Sequence, residues 1–432
     1  MNKLTAAWMM LLSTVALGAG FKLDVHGARA TGMGGAVTAF IDDPSAIYYN
    51  PAGIAGRKGV GIQVGDTLII PMLSFTHAAD GDVTSSPLSV SPPPHGHVTF
   101  GITEDLAIGV GVFSPFGASG KWPPTWEGRF KAISSSLQMF DINPTLAYRL
   151  HPRFKLGAGF NAIRGTVLIE RGLNFVDTEG SVMLGGGTWG FGWNVGAQVE
   201  IVENRLFFGA TYRGPVTMSF EGKAHFENVP TEFAGRLKDQ PITARVVLPT
   251  QANFGLTVQP MDNLRLSLDA DYVEWSSFTE LAINFENPDL TVPLRKSWID
   301  QVSVHVGGEF MPTKSVAIRL GVVYDPTPSP RSTLTPDLPD STRVKVTAGV
   351  GWQHEIGFSV DLGYQFVVLT GADSTAPGFE GKYSGTAQVI GLTLGYRMPV
   401  AARAPVTEPA AAPAPAATEP MPVPATEAVP AS

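Results

Sequence analysis

The chain contains no cysteine, which excludes disulfides and thiolate metal sites. Charge is scarce: only 16% of its 432 residues are Asp, Glu, Lys or Arg, against roughly 25% in an average soluble chain. What charge there is sums to −8, which argues against nucleic acid as a partner, because phosphate binding needs a basic surface. Long apolar runs are missing as well. Beyond the N-terminus no stretch reaches the ~18 to 20 residues that a membrane helix requires, and helical periodicity is weak past residue 60. G-x-S-x-G and H-E-x-x-H are absent. His95 and His97 sit in a Pro/Gly-rich stretch better suited to a loop than to a metal site. No enzyme activity, cofactor or metal is therefore expected.

What the chain does have is 48 glycines and apolar residues placed at every second position. Leu264, Leu266, Leu268, Ala270 and Tyr272 alternate with Arg265, Ser267, Asp269 and Asp271. Val344, Val346, Ala348, Val350 and Trp352 alternate with polar residues or glycine, and so do Phe358, Val360, Leu362, Tyr364 and Phe366. Period two puts successive side chains on opposite faces of a strand. A soluble sandwich alternates too, but its strands are usually nearer 5 or 6 residues, whereas many runs here are much longer. Aromatics gather at the ends of the apolar faces, as in the girdles of a membrane barrel. Tight polar turns near 103–105, 151–153, 203–204, 261–263, 313–314 and 353–355 alternate with long connections at 78–94, 118–134, 228–239, 287–296, 326–340 and 370–382. That asymmetry is expected of an outer-membrane barrel. The pattern predicts an all-β fold, a transmembrane antiparallel β-barrel of about 14 strands spanning 59–398, with both ends on the periplasmic side.

The N-terminus reads as a secretory signal, residues 1–18. Lys3 precedes an apolar stretch from Leu4 to Leu17, and Ala16 and Gly18 are small residues suited to cleavage before Ala19. Residues 19–58 are Gly/Ala-rich, lack alternation, and are expected to form an N-terminal hatch inside the lumen. Residues 399–432 form a Pro/Ala/Glu/Thr tract too poor in bulky apolar groups to offset ordering entropy; a disordered periplasmic tail is expected.

The string Gly27-Ala-Arg-Ala-Thr-Gly-Met-Gly-Gly35, running on through Asp-Asp-Pro-Ser-Ala-Ile-Tyr-Tyr-Asn-Pro-Ala-Gly53, resembles the hatch of the FadL/TodX (OMPP1-like) family of outer-membrane transporters. Ser114-Pro-Phe-Gly117, Trp126-Glu-Gly-Arg-Phe130, Asn143-Pro-Thr-Leu-Ala-Tyr-Arg149, Asp271-Tyr-Val-Glu-Trp-Ser-Ser-Phe278 and Tyr324-Asp-Pro-Thr-Pro328 are similar to later family stretches. The resemblance covers roughly residues 19 to 398; the tail departs from it. It implies a fourteen-stranded barrel, a lumen pocket gated by the hatch, and passive uptake of long-chain fatty acids or similar hydrophobic molecules with lateral exit at a kinked third strand. It makes Asn50, Pro51 and Ala52 the hatch motif and places Ala19 and Phe21 at the pocket. Phe113, Pro115 and Gly117 are the expected kink, since Pro115 lacks a donor N–H and Gly117 packs no side chain. Phe116, Trp122, Trp126 and Phe130 form an expected extracellular catch surface for ligand. Arg164, Arg319, Arg343 and Lys345 are candidate lumen cations for a carboxylate, with cation–carboxylate pairs that merely fill the lumen as the competing reading. The expected surroundings are outer-membrane lipid and lipopolysaccharide, and a monomer is expected. Alternatives are an aromatic hydrocarbon channel, a barrel lipase or protease, or a structural or adhesive barrel.

Overall fold

The computed structural model describes residues 20–398. The expected signal segment, Ala19 and the C-terminal tail lie outside the described residues. Alternating sequence becomes strand almost everywhere from Gly59 onward, and the strands join in chain order into fourteen staves. They are β1 (Gly59–His77), β2 (His95–Gly101) and β3 (Leu106–Phe113 with Gly117–Lys121). Next come β4 (Ser134–His151), β5 (Phe154–Asn174) and β6 (Glu179–Val202). Four staves follow in two pieces each: β7 (Leu206–Arg213 with Val216–Glu227), β8 (Gln240–Leu248 with Gln251–Met261), β9 (Leu264–Val273 with Glu280–Phe285) and β10 (Val292–Arg295 with Gln301–Phe310). The last are β11 (Val316–Asp325), β12 (Arg343–Gln353), β13 (Phe358–Ala376) and β14 (Phe379–Arg397). β14 returns to β1 in unbroken antiparallel register from Gly61↔Arg397 to His77↔Gly381. The sheet is thus closed, the arrangement that leaves no edge to face hydrocarbon.

Each stave turns its apolar parity outward. Val302, Val304, Val306 and Phe310 of β10 are exposed, while Gln301, Ser303, His305 and Glu309 are buried inside. Phe358 and Tyr396 mark one edge of the apolar band; Tyr364 and Phe366 mark the other. Midway between them, level with Leu392 and Leu362, the outward parity carries a carboxylate, Asp66 of β1, flanked along its strand by exposed Val64 and Leu68.

Some connections are more ordered than the sequence suggests. Residues 118–134 contain the upper piece of β3 and a 3-10 turn at Glu127–Phe130. Residues 287–296 contain the first piece of β10. The expected long connection at 370–382 is instead a hairpin in which β13 and β14 run on to a turn at Pro377-Gly378, where Gly378 takes φ 71. The alternation continues there with polar residues outward, because the strands have left the hydrocarbon.

Residues 20–58 supply no stave. They contain two single-turn helices, α1 (Ala28–Gly32) and α2 (Ala46–Tyr49), and a 3-10 turn at Pro51–Ile54. Nearly all are buried. Ala30, Met33, Val37, Ile41, Ile47 and Ile54 pack on Ala107, Phe113 and Ala147 of the inner wall, and Leu23 and Val25 pack on Ile69, Val367 and Val389. The segment fills the barrel interior.

Candidate functional site

Between β2 and β3 the ladder comes apart. β2 and β3 pair from Gly101↔Ala107 up to Gly96↔Val112 and no further. Above that level the chain preceding β2, residues 86–94, stays beside β1 through the bridge Ile69↔Ser91 and the bond from Ser86 N to Leu73 O. It contains Pro87 and the run Pro92-Pro93-Pro94, and proline brings no donor to a ladder. On the other side β3 breaks at Ser114–Phe116 and resumes at Gly117, paired only with β4. The freed backbone of β3 turns to the N-terminal segment instead. Leu23 N donates to Pro115 O at 2.9 Å, and Gly117 N donates to Phe21 O at 2.9 Å. The expected kink residues Phe113, Pro115 and Gly117 thus bracket a real break in the strand.

Phe21 stands at the centre of an aromatic box. Its ring lies 4.7 Å from Trp275, 5.5 Å from Phe278, 5.7 Å from Phe116 and 5.8 Å from Trp298. Trp275 and Phe278 belong to the interruption between the two pieces of β9, where alternation fails and a 3-10 turn (Trp275–Ser277) points both rings inward. The sequence signal was the run Glu-Trp-Ser-Ser-Phe, which breaks period two; Trp298 carried no comparable signal. Beyond Phe21 a cavity opens, lined almost wholly by apolar groups: Leu137, Val167, Phe220, Val246, Leu281 and Leu338 are among them.

The Asn50-Pro51-Ala52 motif sits against the wall. Asn50 Nδ2 donates to Thr38 O at 2.8 Å and to Ala197 O of β6 at 2.9 Å, and its Oδ1 accepts from Ala52 N at 3.2 Å. Pro51 begins the 3-10 turn, where a missing N–H costs nothing. Two wall glycines make the approach possible. A Cβ on Gly196 would lie 2.2 Å from Asn50 Oδ1, and one on Gly157 would lie 2.3 Å from Pro51 C.

The expected cations fare differently from one another. Arg319 bonds Glu309 at 2.7 Å and Asp361 at 2.6 Å; Arg343 bonds Asp340 at 2.6 Å; Lys345 lies 3.0 Å from Asp325. All three face the lumen, and all three are engaged by carboxylates. Arg164 does not face the lumen. Its neighbours Ile163 and Gly165 point inward, so its own side chain goes outward, 5.9 Å from the Trp189 ring. Here the inward side is the apolar one, with Ile163 against Met139 and Met218, so the rule of polar side chains inward does not hold. A cation the sequence did not single out, Arg29 of α1, joins the same network through Glu309, Asp42 and Asp43. Lys22 pairs with Asp271 at 3.0 Å. Burial holds the imidazole of His26 down at about 3.

The expected catch surface is not exposed. Trp122 and Trp126 stack at 4.5 Å and 12° and are 1% and 5% exposed. They pack with Phe75, Phe379 and Tyr383. Their indole N–H groups donate to Pro336 O and Ala132 O. Phe116 is buried in the Phe21 box, and Phe130 lies half-buried under the Arg129 guanidinium. Aromatic groups free to pair with one another closed into a core rather than facing solvent.

A closed fourteen-stave barrel with a greasy exterior, a charged interior and an internally packed N-terminal segment defines an outer-membrane β-barrel transport protein. A family model described as outer membrane protein transport protein (OMPP1/FadL/TodX) matches residues 9–398. This chain belongs to that family. It is 23% identical to the long-chain fatty acid transport protein of Escherichia coli K12, covering 90% of this chain and 97% of that one. It is likewise 23% identical to outer membrane protein P1 of Haemophilus influenzae, over 85% of this chain and 89% of that protein. Among solved structures, a Pseudomonas aeruginosa FadL homologue superposes with a TM-score of 0.79 at 21% identity, covering 88% of this chain and 99% of its own. The Pseudomonas putida toluene transporter TodX superposes at 0.72 and 17%, covering 88% and 100%. The relatives are transporters and channels, and this protein is a transporter rather than an enzyme.

Proposed function

We propose that this protein carries long-chain fatty acids or similar hydrophobic molecules passively across the outer membrane. In this reading residues 19–58 act as a hatch that closes the axial route. Ligand entering from outside rests in the apolar cavity beside Phe21, and leaves sideways through the seam between β2 and β3 into the bilayer. The seam carries this reading: the pairing of β2 with β3 ends at Gly96↔Val112, and the backbone of β3 freed there bonds the N-terminal segment inside the barrel. Lateral release suits a ligand more soluble in lipid than in water and needs no energy source beyond its gradient. The relatives' names point the same way, one to long-chain fatty acids and one to toluene.

Neutral aromatic hydrocarbons are the second reading, favoured by the engagement of Arg319, Arg343 and Lys345 with carboxylates. The catch role first given to Trp122 and Trp126 requires their cluster to open, since both rings are covered at rest. The test is uptake of labelled oleate and of labelled toluene by cells with and without the protein, repeated with Pro115→Val and Gly117→Thr together. Restoring strand formers at the break should abolish uptake of whichever ligand is carried. Undiminished uptake by a correctly folded double variant refutes lateral exit.

A further inference from the structure

Three buried histidines stand together on the lumen side of the wall, just below the break in β3, with ring nitrogens that lack hydrogen-bond partners among the described residues. His97 of β2 is 1% exposed, and neither Nδ1 nor Nε2 has a hydrogen-bond partner. Its ring stacks on Phe113, the last residue before the break in β3, at 5.9 Å and 24°. His95 lies 6.0 Å away; its Nε2 meets Thr393 Oγ1 at 3.2 Å, but its Nδ1 is unpartnered. His26 bonds Leu23 O through Nε2 at 3.1 Å and leaves Nδ1 unpartnered, its ring 5.5 Å from the same Phe113. Two hydroxyls on the seam's borders share this state: Ser91 Oγ on the proline-rich side and Ser114 Oγ at the break itself, both buried and unpartnered.

Buried polar atoms are nearly always hydrogen-bonded, so each exception needs a reason. Here several exceptions fall at 26, 91–97 and 114, around Phe113 and the break in β3 that follows it. A partner that comes and goes accounts for all of them. A neutral imidazole offers one donor and one acceptor, which is the complement of a carboxylic acid's C=O and O–H. The lumen cations Arg319, Arg343 and Lys345, by contrast, each have a carboxylate within 3.0 Å.

We propose that this cluster receives the carboxylic acid head of an amphiphilic ligand as it enters the seam, with His97 as the principal contact. The inference rests on the transport reading and narrows it: long-chain acids are preferred over hydrocarbons of the same length, and the preference comes from neutral hydrogen bonding rather than from an ion pair. A site built to hydrogen-bond a ligand group discriminates strongly against the analogue that lacks it.

The experiment compares uptake of labelled oleate with that of labelled 1-octadecene in cells carrying the full chain, His97→Phe or His97→Gln. The readout is the oleate-to-octadecene ratio, with barrel folding checked by heat-dependent gel mobility. His97→Phe should lower the ratio at least about tenfold. His97→Gln, which keeps a donor and an acceptor, should restore most of it. An unchanged ratio in His97→Phe overturns the proposal, whether total uptake holds or falls, and leaves the nitrogens to bound water. If the wild-type chain carries neither compound, the transport reading itself fails and this one with it.

Discussion

Replacing Phe21 with alanine removes the ring that joins the N-terminal segment to the wall. Phe21 is 1% exposed and touches four aromatic rings. Truncating such a residue costs about 3–5 kcal/mol, transfer and cavity terms together. The barrel ladder itself is untouched, so the loss falls on the docking of residues 20–26, whose other ties include the two bonds to Pro115 and Gly117, the Lys22–Asp271 pair and the packing of Leu23 and Val25 on the wall. A loss of about 3 kcal/mol multiplies the open population roughly 150-fold. Hydrogen exchange read by mass spectrometry on the purified protein in detergent should show it. Peptides containing Leu23 and Gly117 should exchange faster by on the order of a hundredfold, and fluorescence from Trp275 and Trp298 should shift to the red, while peptides from β11 to β14 keep their protection. If exchange at Leu23 and Gly117 rises by less than about threefold, a difference of roughly 0.6 kcal/mol, the segment is not held by this ring and the proposed gate is misplaced.

Glu309 meets Arg29, Arg265 and Arg319, so Glu309→Gln leaves buried guanidinium charge uncompensated and should lower stability to urea by about 3–5 kcal/mol; equal midpoints would contradict this. Gly196→Val drives a side chain into Asn50 and should release the N-terminal segment to added protease, whereas Gly235→Val, at a position with open space around it, should not. His26 is held at about 3, below its ordinary 6.5. Its contribution to docking is therefore complete above pH 6.5 and is lost as pH falls towards 3, by up to about 2–3 kcal/mol at pH 4.5. Exchange of residues 20–26 should accelerate on acidification in the wild type and much less in His26→Phe; identical pH profiles would remove His26 as the cause. Asp66→Leu should raise stability in lipid by up to about 2 kcal/mol by removing a carboxylate from the apolar band, and a loss of stability would show that the carboxylate does more there than accept from Thr67 N–H.

Period two is a strong signal where a wall divides oil from a polar lumen, and the alternating runs at 264–272, 344–352 and 358–366 fall wholly within β9, β12 and β13. The break in β3 was visible because Pro115 and Gly117 are chemically unfit for a ladder. The proline run opposite it belongs to the same seam, yet it read only as loop. Inward and outward parity failed at Arg164 because the lumen is apolar at that level: Ile163 turns inward against Met139 and Met218, and the polar side chain goes outward. Burial of Trp122 and Trp126 was not legible either, since the rings that cover them, Phe75, Phe379 and Tyr383, come from the two ends of the barrel sequence. His95 and His97 read as loop residues; as β2 members they point inward. Pairing of cations with carboxylates was foreseeable as a class, but not the convergence of three arginines on Glu309, which depends on how residues 28–32 lie across the lumen.

The run Pro92-Pro93-Pro94 has one more consequence. Unzipping two strands inside a bilayer normally strands a row of amide hydrogens in oil, and that penalty is what keeps barrels shut. Three successive residues here possess no amide hydrogen at all. If the wall does part there, the proline edge leaves fewer orphaned donors in oil than an ordinary strand edge of the same length would.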